Sequence, residues 1–150
     1  MWPDGSIYEG CWSHGVRQGR GRIIFFNGDV YEGDWMNNRL YGNGSYTFSK
    51  GDHYEGQWID DKKHGKGRYD WESGSYYKGE YAMDRRHGAG EFKTASGVRY
   101  KGKYVLAQKH GRGEYTDGLG NQYRGIFEND EFVGRGKFIW SDGREFVGNW

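Results

Sequence analysis

Three histidines stand 23 residues apart, His64, His87 and His110, and each directly precedes a Gly-x-Gly pair. Histidine is the commonest metal ligand and general base, so metal and acid–base chemistry come first. On successive hairpins these rings sit roughly 10 Å apart. Zinc–nitrogen bonds are about 2.0–2.1 Å, so the three cannot share one ion. The Gly-x-Gly pairs could be taken for phosphate loops, but those run from a strand into a helix N-terminus, and no helix is legible here. Asp60 and Asp61 fall in an expected hairpin loop, solvated rather than paired for proton transfer. No serine or cysteine has a base at a motif spacing, so nucleophilic catalysis has no candidate. The sequence therefore assigns no catalytic, cofactor-binding or metal-binding residue, and predicts a protein that is not an enzyme and uses no cofactor.

Binding chemistry has better candidates. Lys62, Lys63, Arg85, Arg86 and Lys109 recur in register with the histidines and define a basic edge. Such an edge suits an acidic partner or anionic phospholipid, each cation near a lipid surface adding about 1 kcal/mol. The sixth loop reverses the sign with Glu128, Asp130 and Glu131. Nucleic acid is not expected as a partner, because the net charge is only +1. The second candidate is aromatic: Trp12, Trp35, Trp58, Tyr81, Tyr104 and Phe127, again 23 residues apart. Rings on a one-layer sheet leave an open groove, and an apolar surface of that size marks a partner site. An amphipathic helix laid along it is one familiar mode of recognition.

These residues are positioned by a repeat. Tyr8, Tyr31, Tyr54, Tyr77, Tyr100, Tyr123 and Phe146 mark position 1 of a 23-residue unit with no insertion. Glycine recurs at positions 3, 12, 14 and 21, and only Gly15 and Gly118 of the 28 glycines fall elsewhere. Full repeats span 8–30, 31–53, 54–76, 77–99, 100–122 and 123–145, with partial repeats at 1–7 and 146–150, in one array over 1–150. The 7 tryptophans, 13 tyrosines and 8 phenylalanines exclude a disordered chain, which is poor in rings. One cysteine, Cys11, excludes an internal disulfide framework and fits a reducing compartment.

Alternation of ring, glycine and ring at positions 1, 3 and 5 has the period of a strand. Positions 12, 14 and 16 continue it on a second strand. The expected register sets position 5 against 12, 3 against 14 and 1 against 16, leaving positions 6–11 as a six-residue loop. Position 2 then faces 15, giving the opposite-charge pairs Glu9/Arg22, Glu55/Arg68, Lys78/Glu91 and Lys101/Glu114, with Arg124/Lys137 the one like-charged pair. Positions 20–22 are expected as a three-residue turn centred on a left-handed glycine. That turn sets Gly21 against Trp35 and Tyr46 against Gly56, each glycine lying beside a ring. The expected fold is all-β: an elongated, twisted, single-layer antiparallel sheet of tandem hairpins, a rod of roughly 60 Å at two strands per repeat. No polar cap is visible at either end, which reads as a segment of a longer protein or ends that pair with partners.

The unit resembles the membrane occupation and recognition nexus (MORN) repeat, whose pattern is carried plainly by Tyr54-Glu55-Gly56-Gln57-Trp58, His64-Gly65-Lys66-Gly67 and Gly74. The resemblance implies a non-catalytic scaffold for protein–protein interaction in a cytoskeletal assembly, most plausibly a ciliary or flagellar axoneme, since similar arrays occur in radial-spoke head proteins. Other proteins of that assembly, a helix in the groove or adjoining repeats are the implied partners, and the cytoplasm the implied compartment. It leaves two alternatives: a membrane-apposition module on anionic lipid, as in junctophilins, or the non-catalytic repeat region of a larger enzyme.

Overall fold

Positions 7 and 8 decide how each hairpin turns. His14-Gly15, Asn37-Asn38, Asp60-Asp61, Met83-Asp84, Leu106-Ala107 and Asn129-Asp130 all have positive φ at both residues, +45° to +81°. Two consecutive left-handed residues make a type I′ turn, whose twist matches that of the flanking strands. The computed structural model describes residues 4–150, so Trp2 and Pro3 of the partial repeat 1–7 lie outside the described residues. The first strands of the hairpins are β1 Ile7–Ser13, β3 Val30–Met36, β5 His53–Ile59, β7 Tyr76–Ala82, β9 Arg99–Val105 and β11 Gln122–Glu128. The second strands are β2 Val16–Ile24, β4 Arg39–Thr47, β6 Lys62–Asp70, β8 Arg85–Lys93, β10 Gln108–Thr116 and β12 Glu131–Ile139, and β13 Glu145–Asn149 follows. All 13 lie in one open antiparallel sheet in chain order, with no helix among the described residues. Two compact units divide the chain, one up to Glu72 together with Tyr81–Asp84, the other Ser73–Glu80 with Arg85–Trp150.

In the first hairpin the expected register holds as far as position 3. Tyr8 faces Ile23, Glu9 faces Arg22 and Gly10 faces Gly21. Beyond that point it slips by two residues, so Trp12 faces Arg17 rather than Gly19. The same slip sets Trp35 against Leu40, Trp58 against Lys63, Tyr104 against Lys109 and Phe127 against Phe132. A two-residue turn and a bulge thus replace the expected six-residue loop. The position-12 glycine makes the bulge possible: its φ runs from +61° to +87° across the six repeats, a conformation that costs other residues dearly.

Between repeats the register is also displaced by two. Phe25 N–H donates to Asp29 O and Gly28 N–H to Phe25 O, closing the turn two residues earlier than expected. Gly21 therefore faces Gly33 and Trp35 faces Gly19, while Tyr46 faces Tyr54 and Gly44 faces Gly56. A shift of two leaves every side chain on its expected face, whereas a shift of one would have inverted the sheet. The turn glycine is left-handed as expected, with Gly28 at φ +92°.

Glycine does make room for a ring, but the ring is the repeat's own position-1 tyrosine. A Cβ on Gly44 would run into Tyr31 Oη and its ring carbons, and one on Gly33 would meet both Tyr31 Oη and Gly44 Cα. Tyr31, Tyr54, Tyr77, Tyr100 and Tyr123 lie fully buried across these paired glycines. Each hydroxyl donates to the carbonyl of position 4, the residue facing the bulge: Tyr31 to Asp34 O at 2.8 Å, Tyr54 to Gln57 O at 3.0 Å, Tyr100 to Lys103 O at 2.7 Å. Burial drives the ionisation of Tyr31, Tyr54, Tyr77 and Tyr100 far above the ordinary tyrosine range.

Candidate functional site

On the ring face, position-1 and position-5 rings alternate edge to face. In the first unit, Tyr8, Trp35, Tyr31, Trp58, Tyr54 and Tyr81 form a chain with centroids 5.0–5.6 Å apart and planes near perpendicular. In the second, Tyr77, Tyr104, Tyr100, Phe127 and Tyr123 do the same at 5.1–5.5 Å. Each such contact contributes about 0.5–1.5 kcal/mol beyond its area. Trp35 Nε1–H and Trp58 Nε1–H also donate to Gly21 O and Gly44 O of the preceding repeat, both at 3.1 Å.

This chain of contacts absorbs most of the proposed groove residues. Trp35, Trp58, Tyr81, Tyr104 and Phe127 are 1–7% exposed, and only Trp12 is open, at 47%. Their cover is the residue at position 10. The Arg17 guanidinium lies 4.8 Å from the Trp35 ring, Arg86 lies 5.0 Å from Tyr104, Lys63 sits over Tyr54, Tyr69 and Tyr81, and Lys109 over Tyr100 and Tyr115. At this position Leu40 is buried and Phe132 stacks on Tyr123 at 3.9 Å. Burial beneath these groups pushes Tyr104 up to about 12, with Arg86 working the other way.

The same arrangement divides the expected basic edge. Lys63, Arg86 and Lys109 are turned onto rings as cation–π partners. Lys63 and Lys109 also reach Asp84 and Asp130 at 3.6 Å. Lys62 and Arg85, one residue earlier, project into solvent. Of the histidines, His64 Nδ1 accepts Met83 N–H at 3.3 Å, and His87 and His110 are exposed. Among the described residues, no three His, Cys, Asp or Glu side chains converge as metal ligands, and no helix is long and apolar enough to cross a membrane.

The accessible aromatic surface is a second row that sequence reasoning passed over. Phe25, Tyr46, Phe48, Tyr69 and Trp71 follow one another at centroid distances of 5.9, 4.5, 5.9 and 4.6 Å, all half-buried. They occupy positions 16 and 18, on the same face as the ladder. The signal was present in the 23-residue spacing of Phe25, Phe48 and Trp71. Buried carboxylates fix the row. Tyr46 O–H donates to Asp29 Oδ2 and Tyr69 O–H to Asp52 Oδ2, both at 2.7 Å. The other oxygens accept Ser49 N–H at 2.8 Å and Glu72 N–H at 3.0 Å from the next repeat's turn. Burial works to raise the Asp29 carboxyl, but the bonds from Ser49, Tyr46 and Asn27 outweigh it and hold it below the ordinary range. The Glu72 N–H and the Tyr69 hydroxyl hold Asp52 low in the same way.

A matching staple joins hairpins at their other end. Asn38, Asp61, Asp84 and Asp130 at position 8 accept the N–H of position 10 in the preceding repeat, from Arg17, Leu40, Lys63 and Lys109, at 2.7–2.8 Å. On the opposite face, the like-charged Arg124 and Lys137 stand side by side as the sequence predicts. They diverge, Arg124 to Glu114 at 3.7 Å and Lys137 to Glu145 at 2.8 Å.

Residues 8–30, 31–53, 54–76, 77–99, 100–120 and 123–143 each match the MORN repeat, which settles the family. The chain belongs to the MORN repeat family. No curated protein sequence matches it significantly. Among solved structures, the chain is similar to the TCP domain of SAS-4 (dCPAP) in complex with a proline-rich motif of Ana2 (dSTIL) of Drosophila melanogaster. The likeness has a TM-score of 0.54 at 15% identity, and covers 87% of this chain and 73% of that one. At that identity the likeness is one of fold alone.

Proposed function

We propose that this MORN array is a non-catalytic scaffold that binds an extended segment of a partner protein on its ring face, in a cytoskeletal assembly of the ciliary or flagellar axoneme. The observation that carries the reading is the half-buried row Phe25, Tyr46, Phe48, Tyr69 and Trp71 beside a sealed ladder. The ladder and its staples hold the sheet, and the row lies half-buried at its accessible surface. Spaced flat rings suit proline-rich and other extended segments, which arrive already ordered. The SAS-4 TCP domain, of similar fold, holds a proline-rich motif of its own partner. The groove first expected at Trp35 and Trp58 lies one layer deeper, so partner contact belongs to positions 16 and 18. The axonemal setting is supported by the resemblance to radial-spoke head arrays. Anionic lipid has less to hold, because Lys63, Arg86 and Lys109 are occupied by rings.

Fluorescence anisotropy with a labelled proline-rich decapeptide tests the binding mode. Phe25→Ala and Phe48→Ala should each weaken binding about ten-fold, as expected for losing a ring contact of roughly 1.4 kcal/mol, with the sheet still folded by circular dichroism. Unchanged affinity in both variants would refute it. For the setting, tagged protein in ciliated cells should stay with detergent-extracted axonemes; release with the membrane fraction would count against it.

A further inference from the structure

The face opposite the rings differs between repeats in one respect. In repeats two, three and four a position-4 side chain reaches over the bulge and accepts the N–H of position 13. Asp34 takes it from Asn43 at 2.9 Å, Gln57 from Lys66 at 2.8 Å and Glu80 from Ala89 at 2.7 Å. The same side chains fill the space beside the bulge glycines Gly42, Gly65 and Gly88. In repeats five and six position 4 is Lys103 or Ile126, and neither side chain can accept a hydrogen bond. Among the described residues no side chain accepts from the N–H of Arg112 or Arg135. Nothing lies within 4 Å of where a Cβ on Gly111 would stand, and beside Gly134 there is only Ile126 Cδ1 at 3.9 Å.

Arg112, Ile126 and Arg135 of these two bulges line a groove of about 780 Å³ floored by Gly113, Gly125 and Gly136. Its walls carry Lys101, Arg112, Arg124, Arg135 and Lys137 against one acid, Glu114. Among the described residues, Arg112 and Arg135 enter no ion pair. The equivalent surface of repeats one to three has Glu32 and Glu55 beside Arg20, and no excess of positive charge.

We propose that this groove binds an extended acidic segment of a partner protein, whose carboxylates take the places in repeats five and six that Asp34 and Glu80 take in repeats two and four. The chain itself supplies the template for the ligand: a carboxylate oxygen over a left-handed glycine, accepting a backbone N–H. Neighbouring places are one repeat apart, roughly 10 Å across two strands. Three residues of a segment in the extended polyproline II conformation span about 9 Å and complete one turn, which brings the side chain back to the same side. The segment that fits therefore carries Asp or Glu at every third residue. A membrane surface is the poorer match, because the glycine floor is sunk between strands of long cations and admits a single chain. The proposal rests on the scaffold reading only in taking the ligand to be protein, and it concerns the other face.

The test is anisotropy of the whole chain at low salt with two labelled peptides, one with Asp at every third residue and one with Asn there. The Asp peptide should bind at least about ten-fold more tightly. Ile126→Gln copies Gln57 and fills the bulge from within without changing charge. It should weaken the Asp peptide about ten-fold, the worth of one good hydrogen bond, while the unfolding midpoint does not fall. Should Ile126→Gln fold poorly, Lys103→Gln serves instead, measured against Lys103→Leu, which removes the same charge at the same place but offers no acceptor to the bulge. The Gln variant should be the weaker binder of the two. Phe48→Ala should leave this binding intact, which separates it from the ring-face reading. Equal binding of both peptides overturns the proposal. So does full affinity in the filled variants, or binding to phosphatidylserine vesicles without binding to the Asp peptide.

Discussion

Replacing Ala107 with aspartate should stabilise the chain, by an amount the other repeats allow to be worked out. At position 8, Asn38, Asp61, Asp84 and Asp130 accept a neighbouring N–H at 2.7–2.8 Å, whereas Ala107 has no side-chain oxygen to offer Arg86. Ala107 also holds φ +68°, a conformation alanine tolerates less well than aspartate. Its backbone is already in place, since its N–H donates to Arg86 O at 3.0 Å and the Arg86 guanidinium reaches Ala107 O at 3.4 Å. Ala107→Asp therefore adds one net hydrogen bond of about 0.5–1.5 kcal/mol and an exposed ion pair of about 0.2–1 kcal/mol. Together with partial relief at φ, the gain is about 1–2 kcal/mol, or a rise of about 3–6 °C in Tm. Ala107→Gly relieves φ without supplying the acceptor and should give less than half of that. Thermal and urea unfolding followed by near-ultraviolet circular dichroism would measure both. If Ala107→Asp is no more stable than Ala107→Gly, the staple contributes nothing and the account of how hairpins are joined is wrong.

The remaining predictions concern the tyrosines, the glycines and pH. Tyr54→Phe keeps the buried ring but leaves Gln57 O without its donor, and should cost about 1–3 kcal/mol in urea unfolding. Gly67→Ala should cost more than about 3 kcal/mol, because its Cβ meets the Tyr54 hydroxyl and ring. Gly113→Ala, where Tyr100 stands off by 2.8–3.1 Å, should cost clearly less on the same scale. Asp29 and Asp52 are held below their ordinary value of 3.8, so their stabilisation is complete above it and is lost as pH falls below about 4. Asp29→Asn and Asp52→Asn should flatten the acid limb of a Tm-against-pH curve. Tyr31, Tyr46, Tyr54 and Tyr69 are raised above 10.0, so the stability they contribute is full below pH 10 and falls as pH climbs beyond it. Absorbance at alkaline pH should show these phenols ionising together with unfolding rather than before it.

The faces of the sheet were legible because period-2 alternation survives any shift of two residues. Tyr8 against Ile23 and Gly10 against Gly21 follow from it directly. The turns were not, since His14-Gly15, Met83-Asp84 and Leu106-Ala107 conceal the Asn/Asp pattern that marks a type I′ hairpin in repeats two, three and six. Without that turn, the position-12 glycine reads as an ordinary strand residue rather than the hinge of a bulge. The candidate site suffered from the same gap. Charge alone made Lys63, Arg86 and Lys109 a docking edge. Only the slipped register, which sets position 10 opposite the position-5 ring, shows them lying on aromatics. Ring type and spacing likewise cannot tell a sealed tryptophan such as Trp58 from a half-open one such as Trp71.

Fastening neighbouring hairpins through their turns also sets a quantum of length. One residue inserted at positions 7–8 would carry the Asp61 carboxylate away from Leu40 N–H, and one inserted near position 20 would carry Ser49 N–H away from Asp29. Neither loss can be absorbed locally, because the acceptor lies in one repeat and the donor in the next. Such an array tolerates duplication or loss of a whole 23-residue unit far better than a change of one or two residues. The unit that is copied in heredity is then also the unit that packs.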